Sequence, residues 1–174
     1  MTEEQKMFMQ LLEEECVINT NDIVEYPPVA ISMGETTIQT LKGSKTLPIP
    51  LGTYGNFSFV QAPPKTKKTF FISLLASVYL GNKNKFGGKL RGHRNNKCLI
   101  HFDTEQGKFH AQRVFRRVVD MNQEQDLGCY HTFGLRTVGF KHRVDFIEYY
   151  LKEKIKEGKV GLVVIDGIAD LVSD

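Results

Sequence analysis

The hydrophobic pattern divides the chain into an irregular N-terminal part and a regular remainder. Near the start, Phe8, Leu11, Leu12 and Cys16 fall on one face of a helix over Glu3–Cys16, and Thr2 with Gln5 forms the capping-box pair that opens it. Residues 19–22 (N-T-N-D) end this amphipathic arm. Pro27 and Pro28 lead into V-A-I-S-M at 29–33; T-T-I-Q-T-L, a K-G-S-K turn and T-L-P-I-P follow, and together they predict a hairpin. From Gly55 onward strand and helix patterns alternate, with strands at 57–62, 98–102, 130–133 and 160–165 and helices at 69–80, 108–121 and 142–156. That alternation predicts an α/β fold, a parallel sheet with helices on both faces. Ala111, Val114, Phe115 and Val118 make one apolar stripe, Val144, Ile147, Leu151 and Ile155 another, and Gly158 ends the last helix. Three of the strands are apolar with little alternation, as strands covered on both sides are.

The segment 1–54 therefore reads as a small helix-and-hairpin cap packed on a main domain over 55–174, where it covers a sheet edge. The connection 81–97 breaks the rhythm, with six Lys or Arg, four glycines and no acid in seventeen residues. It predicts a long basic flexible loop, either a solvated connection or a phosphate-backbone contact made by Lys89, Arg91 and Arg94.

Composition narrows the function classes. The chain has 174 residues, 41% hydrophobic and 25% charged, which suits one globular domain with a small appendage. No run approaches the roughly eighteen apolar residues of a membrane span, and the acidic start is unlike a signal peptide, so a cytoplasmic protein without a membrane partner is expected. Cys16, Cys98 and Cys129 are odd in number and far apart, which argues against a disulfide framework and a paired zinc site. The five histidines have no ligand spacing. A net charge of +3 does not by itself imply nucleic acid.

The candidate chemistry gathers around V-Q-A-P-P-K-T-K-K-T-F at 60–70. A phosphate-binding loop of Walker A type has Gly, four residues, Gly, Lys and then Ser or Thr; Ala62 and Lys67 stand at the two glycine positions, with Pro63, Pro64, Lys65 and Thr66 between them. Lys68 and Thr69 remain, the lysine to reach the β- and γ-phosphates and the threonine hydroxyl to bind Mg²⁺. The glycine freedom is missing, and the two prolines remove backbone donors. A proline-stiffened basic turn is the other reading. Two further segments lie at strand ends. The strand at 98–102 runs into Asp103-Thr104-Glu105-Gln106. G-L-V-V-I-D-G at 161–167 has the Walker B pattern, an apolar strand that delivers Asp166 to a magnesium ion. In an open parallel sheet, ligands bind outside the carboxyl ends of the strands, so one site accommodates all three.

Lys68-Thr69, the D-T-E-Q segment and V-V-I-D-G-I-A-D-L together resemble the RecA-like ATPases, within these the RepA-type helicase and mobile-element group, over about 56–174. The resemblance implies ATP and Mg²⁺ as cofactors. It implies Glu105 as the base or water-positioning residue, Gln106 near the γ-phosphate, Lys68 and Thr69 in the phosphate loop, and Asp166 on the metal. Water would then attack the γ-phosphate in line. Arg113, Arg116, Arg117 and Arg136 are available as an arginine finger, and none is singled out. DNA is the partner the family context implies, self-association is open, and a non-catalytic binding or scaffolding module with a decayed phosphate loop is the alternative function. In that family a further strand inserts between the Walker B strand and the phosphate-loop strand. A chain ending at Asp174 is thus expected to be a shortened, incomplete form of the core. Its gap would be closed by pairing of the strands at Phe57 and Val163, or filled by another segment or chain.

Overall fold

The computed structural model describes residues 1–41, 43–63, 65–81, 84–85, 87–123 and 128–172, with the backbone alone for Asn84 and Lys85. Its first element, α1 (Glu3–Cys16), is opened by the expected capping box: Gln5 N–H donates to Thr2 Oγ1 at 3.3 Å and Thr2 N–H to Gln5 Oε1 at 2.9 Å. None of its residues is buried, and Phe8 and Leu11 face solvent. The helix is thus held by its cap and local ion pairing rather than by packing on the main body, which departs from the expected covering role.

Strands β1 (Val29–Thr40) and β2 (Gly43–Thr53) form the predicted antiparallel hairpin. The segment after the next helix does not remain a loop, however. Two short strands, β3 (Asn84–Lys85) and β4 (Leu90–Gly92), arise from it, and the sheet order is β2-β1-β4-β3. Ile31, Ser32 and Met33 pair with Gly92, Arg91 and Leu90. Glycine is needed at 92 because a Cβ there would meet Tyr79 Cα at 2.8 Å in the helix behind the sheet.

That helix is α2 (Lys68–Gly81), whose C-terminal half is buried from Ala76 to Gly81. A second, parallel sheet has the order β6-β5-β7, from β5 (Cys98–Asp103), β6 (Tyr130–Gly134) and β7 (Val160–Asp166). All six residues of β5 are buried, as befits the middle strand. Alternation then sorts its side chains. Leu99 packs with Ala76, Val78 and Leu80 of α2 and with Val118 of α3 (Lys108–Asp120). Ile100 and Phe102 turn the other way, towards Ile147 of α4 (Phe140–Lys156). There Phe133 lies 4.5 Å from Tyr150 and 5.2 Å from Phe146 between ring centroids, edge-on contacts worth about 0.5–1.5 kcal/mol each beyond area burial. The α4 stripe is only partly covered, since Val144 and Ile155 are exposed.

The core joins the two sheets. Ala30 and Ile31 belong to the same buried cluster as Val78 and Leu99, and the Tyr54 hydroxyl donates to the His93 carbonyl at 2.7 Å while meeting the buried Tyr79 hydroxyl at 3.0 Å. Burial pushes both phenols above their ordinary range. Gly161 of β7 gives Tyr79 its room, because a Cβ there would fall on the tyrosine hydroxyl.

Two expectations are corrected. Residues 57–62 form no strand: Phe57 is 85% and Phe59 72% exposed, and among the described residues β7 pairs only with β5, so the strands expected at Phe57 and Val163 are not paired. A β-prone run becomes a strand only when another strand satisfies its backbone groups, and the described residues offer this one no partner. The parallel sheet consequently has three strands among the described residues. The other correction is the 81–97 connection, part of which is strand rather than free loop. No described helix is long and apolar enough to cross a membrane.

His101, on the same face of β5 as Leu99, is buried with Nδ1 3.1 Å from the Tyr130 hydroxyl and its ring 5.0 Å from that of Phe115. Nε2 is buried without a hydrogen-bond partner, and burial lowers the imidazole to about 4. A histidine held below its unfolded value of about 6.5 contributes its full stability above that value and loses it as pH falls from about 6.5 to about 4, a loss of about 3 kcal/mol. The decline in urea-unfolding free energy between pH 7 and pH 4.5 is therefore expected to be smaller by about 2 kcal/mol in His101→Leu than in the natural chain. Equal declines would contradict the assignment.

Candidate functional site

Helix α2 begins at a turn that glycine would ordinarily make. The Thr66 hydroxyl donates to the Pro63 carbonyl at 2.7 Å, and the chain then passes through Lys65 and Lys67 at φ of 66° and 64°. Left-handed backbone of this kind costs an L-residue about 1 kcal/mol or more. Lys67 holds that conformation immediately ahead of Lys68 and Thr69, at the position where the expected phosphate-loop pattern has a glycine. Phe70 and Phe71 N–H groups bond back to the Lys67 carbonyl at 3.0 and 3.1 Å, so Lys68 and Thr69 occupy the first turn, where backbone N–H groups have no acceptor within the helix. Donors and helix dipole there both favour an anion.

The strand ends beside this turn are locked together. In the parallel register Asp103 lies opposite Asp166, as Phe102 does Ile165. One residue further, Thr104 N–H donates to the Asp166 carbonyl at 3.0 Å and its hydroxyl to the Gly167 carbonyl at 2.6 Å. Gly167 turns the chain away at φ 98°; a Cβ there would strike the Thr104 hydroxyl and come within 3.1 Å of Glu105 Cβ. Asp103 Oδ1 accepts the Gln106 N–H at 2.8 Å and the Glu105 N–H at 3.1 Å, which folds the D-T-E-Q segment back over the strand. Burial pushes the Asp103 carboxyl above the usual range; the two backbone donors oppose this and the Asp166 charge adds to it.

Lys68 Nζ lies 3.8 Å from Asp166 Oδ1, joining the helix start to the tip of β7. A cavity of about 410 Å³ opens alongside, lined by Lys67, Thr69, Phe70, Gln106, Val114 and Arg117. This size is within the range of small-molecule sites. Arg117 is held over the Phe70 ring at 5.3 Å and donates to the Ser73 hydroxyl at 3.3 Å.

The structure therefore gathers Lys67, Lys68, Thr69, Gln106 and Asp166 at one end of the parallel sheet, with Glu105 exposed beside Gly167. Ala62, Pro63, Lys65 and Thr66 form the exposed approach to that end, while Pro64 lies outside the described residues. Lys89, Arg91 and Arg94 lie elsewhere: Lys89 and Arg91 are exposed at β4 of the antiparallel sheet, and Arg94 is half-buried, donating to the Cys129 thiol. Of the four arginines, Arg116 pairs with Asp120 at 2.9 Å, Arg113 lies over Phe109, and Arg136 donates to the Glu105 carbonyl at 2.8 Å. Sequence reasoning gave no role to Asp103, Thr104 or Gly167. The signal for them was a polar residue at the tip of each apolar strand, followed at 167 by a glycine.

As for a magnesium ion, no group of three or more His, Cys, Asp or Glu forms a metal site among the described residues. The donors that are present nonetheless suit one: Asp166 Oδ2 is buried with no hydrogen-bond partner, and Thr69 supplies a hydroxyl in the first turn of α2.

The strain at Lys67 is directly measurable. Lys67→Gly is expected to raise the urea-unfolding free energy by about 1 kcal/mol, because only the glycine holds φ near +64° without cost. A less stable variant would mean that the lysine side chain outweighs the backbone. No family model matches this chain, and none of the curated proteins or solved structures compared with it matches either.

Proposed function

We propose that the chain binds a nucleoside triphosphate with Mg²⁺ at the start of α2 and the tips of β5 and β7, and that it works as a RecA-like ATPase in DNA transactions of a mobile element or plasmid. The observation that carries the nucleotide reading is Lys67 in the glycine conformation directly ahead of Lys68, whose ammonium lies 3.8 Å from the buried Asp166. The resemblance alone supplies ATP and DNA.

Each residue has a task suited to its chemistry. Lys68, paired with Asp166 when no anion is bound, turns its charge to phosphate oxygens, while the α2 backbone donors hold them without side-chain entropy. Asp166 and Thr69 would hold the Mg²⁺ ion, whose charge would offset that of the phosphates. Glu105, exposed at the rim and held through its carbonyl by Arg136, is the group to take a proton from attacking water, and Gln106 reaches into the adjoining cavity. Lys89 and Arg91 provide exposed positive charge for a phosphate backbone, and Arg94 adds to the field from a half-buried position.

A second reading, binding without turnover, is favoured by the approach to the loop. Residues 57–62 carry no strand pairing, so the phosphate loop lacks the rigid strand that would fix it on one side. Phosphate release by the natural chain in ATP and Mg²⁺ separates the two readings.

Isothermal titration with ADP and Mg²⁺ tests the site itself. Lys68→Ala is expected to weaken binding about tenfold to a hundredfold, the loss for a hydrogen bond to a charged group. Binding that is unchanged in this variant would move the phosphate site away from α2.

A further inference from the structure

The two strand tips hold a charge problem that Lys68 does not solve. Asp103 is 0% and Asp166 4% exposed, they lie opposite each other in adjacent parallel strands, and each keeps one carboxylate oxygen, Oδ2, buried without a hydrogen-bond partner. Buried polar atoms almost always find partners, and neighbouring carboxylates repel as well. Asp103 Oδ1 is taken by the Glu105 and Gln106 N–H groups, and the ammonium of Lys68 is paired with Oδ1 of Asp166. The two Oδ2 atoms are left over on neighbouring strands, and the Thr104 bonds to the Asp166 and Gly167 carbonyls fix the distance between those strands.

We propose that Asp103 and Asp166 together hold one divalent cation between the tips of β5 and β7, Asp103 adding a second carboxylate to the site. A hard cation takes oxygen ligands, and its charge offsets the repulsion between neighbouring carboxylates that Lys68 meets at Asp166 Oδ1 alone. The inference rests on the nucleotide reading for the cation's purpose, since an ion held here lies next to the first turn of α2 where phosphates would bind. Asp103 then has two separate tasks: Oδ1 shapes the D-T-E-Q turn, and Oδ2 faces the ion.

Asparagine at 103 keeps the Oδ1 acceptor and removes the charge, so Asp103→Asn separates these tasks. The test titrates Mn²⁺ into the natural full chain, Asp103→Asn and Asp166→Asn, alone and with ADP, and reads bound Mn²⁺ by electron paramagnetic resonance. Apparent Mn²⁺ affinity is expected to fall at least about tenfold in each variant. A measurement that needs no variant accompanies it: bound Mn²⁺ should broaden the amide resonances of Thr104, Glu105 and Gly167 before those of the β1–β2 hairpin. Failure of the natural chain to bind Mn²⁺ in either titration, binding by Asp103→Asn equal to that of the natural chain, or broadening centred elsewhere overturns the proposal. ADP affinity measured on the same samples keeps the two readings distinct. ADP binding whose Mn²⁺ dependence is untouched in Asp103→Asn removes this inference and leaves the nucleotide reading standing, whereas Mn²⁺ held by the two carboxylates without ADP binding does the reverse.

Discussion

The parallel pairing of β5 with β7 is the constraint on which the candidate site depends. Register alone sets Asp103 against Asp166, and the Thr104 bonds to the Asp166 and Gly167 carbonyls continue the ladder past the last paired residues. Were the register to slip by one, an apolar residue would replace an acid at the tip and every side chain of the strand would change face. The face is held by packing: Leu99 against α2 and α3, Ile100 and Phe102 against α4. Core and site are therefore one structure. The same alternation that buries Leu99 and His101 beneath α2 and α3 brings Asp103 to the side from which Lys68 approaches Asp166.

Much of this was legible where local chemistry decides. The Thr2 and Gln5 pair marks the start of α1, the apolar stripe at Ala111, Val114 and Val118 marks α3, and the apolar strands β5 and β7 end at Asp103 and Asp166. Lys68 and Thr69 were recognisable from residue type and spacing, and the structure puts them at the first turn of α2.

What was not legible depends on partners far away in the chain. The run at 57–60 has strand composition yet no strand beside it, and composition cannot distinguish a paired run from an unpaired one. Leu90-Arg91-Gly92 is too short and too basic to show periodicity; it becomes a strand because Ile31, Ser32 and Met33 lie beside it. Lys67 has no preference for positive φ, so its glycine-like turn is visible only in the backbone. Asp103 reads as an ordinary acid after a strand until burial and its unpartnered oxygen set it apart.

The central claim is that the start of α2 and the tips of β5 and β7 make one nucleotide site. Amide chemical shifts of the natural chain, followed as ADP and Mg²⁺ are added, test it most directly. The account predicts concerted changes at Lys67, Lys68, Thr69, Glu105, Gln106 and Gly167, with the β1–β2 hairpin unmoved. Changes confined to the antiparallel sheet, or none at saturating nucleotide, would contradict it.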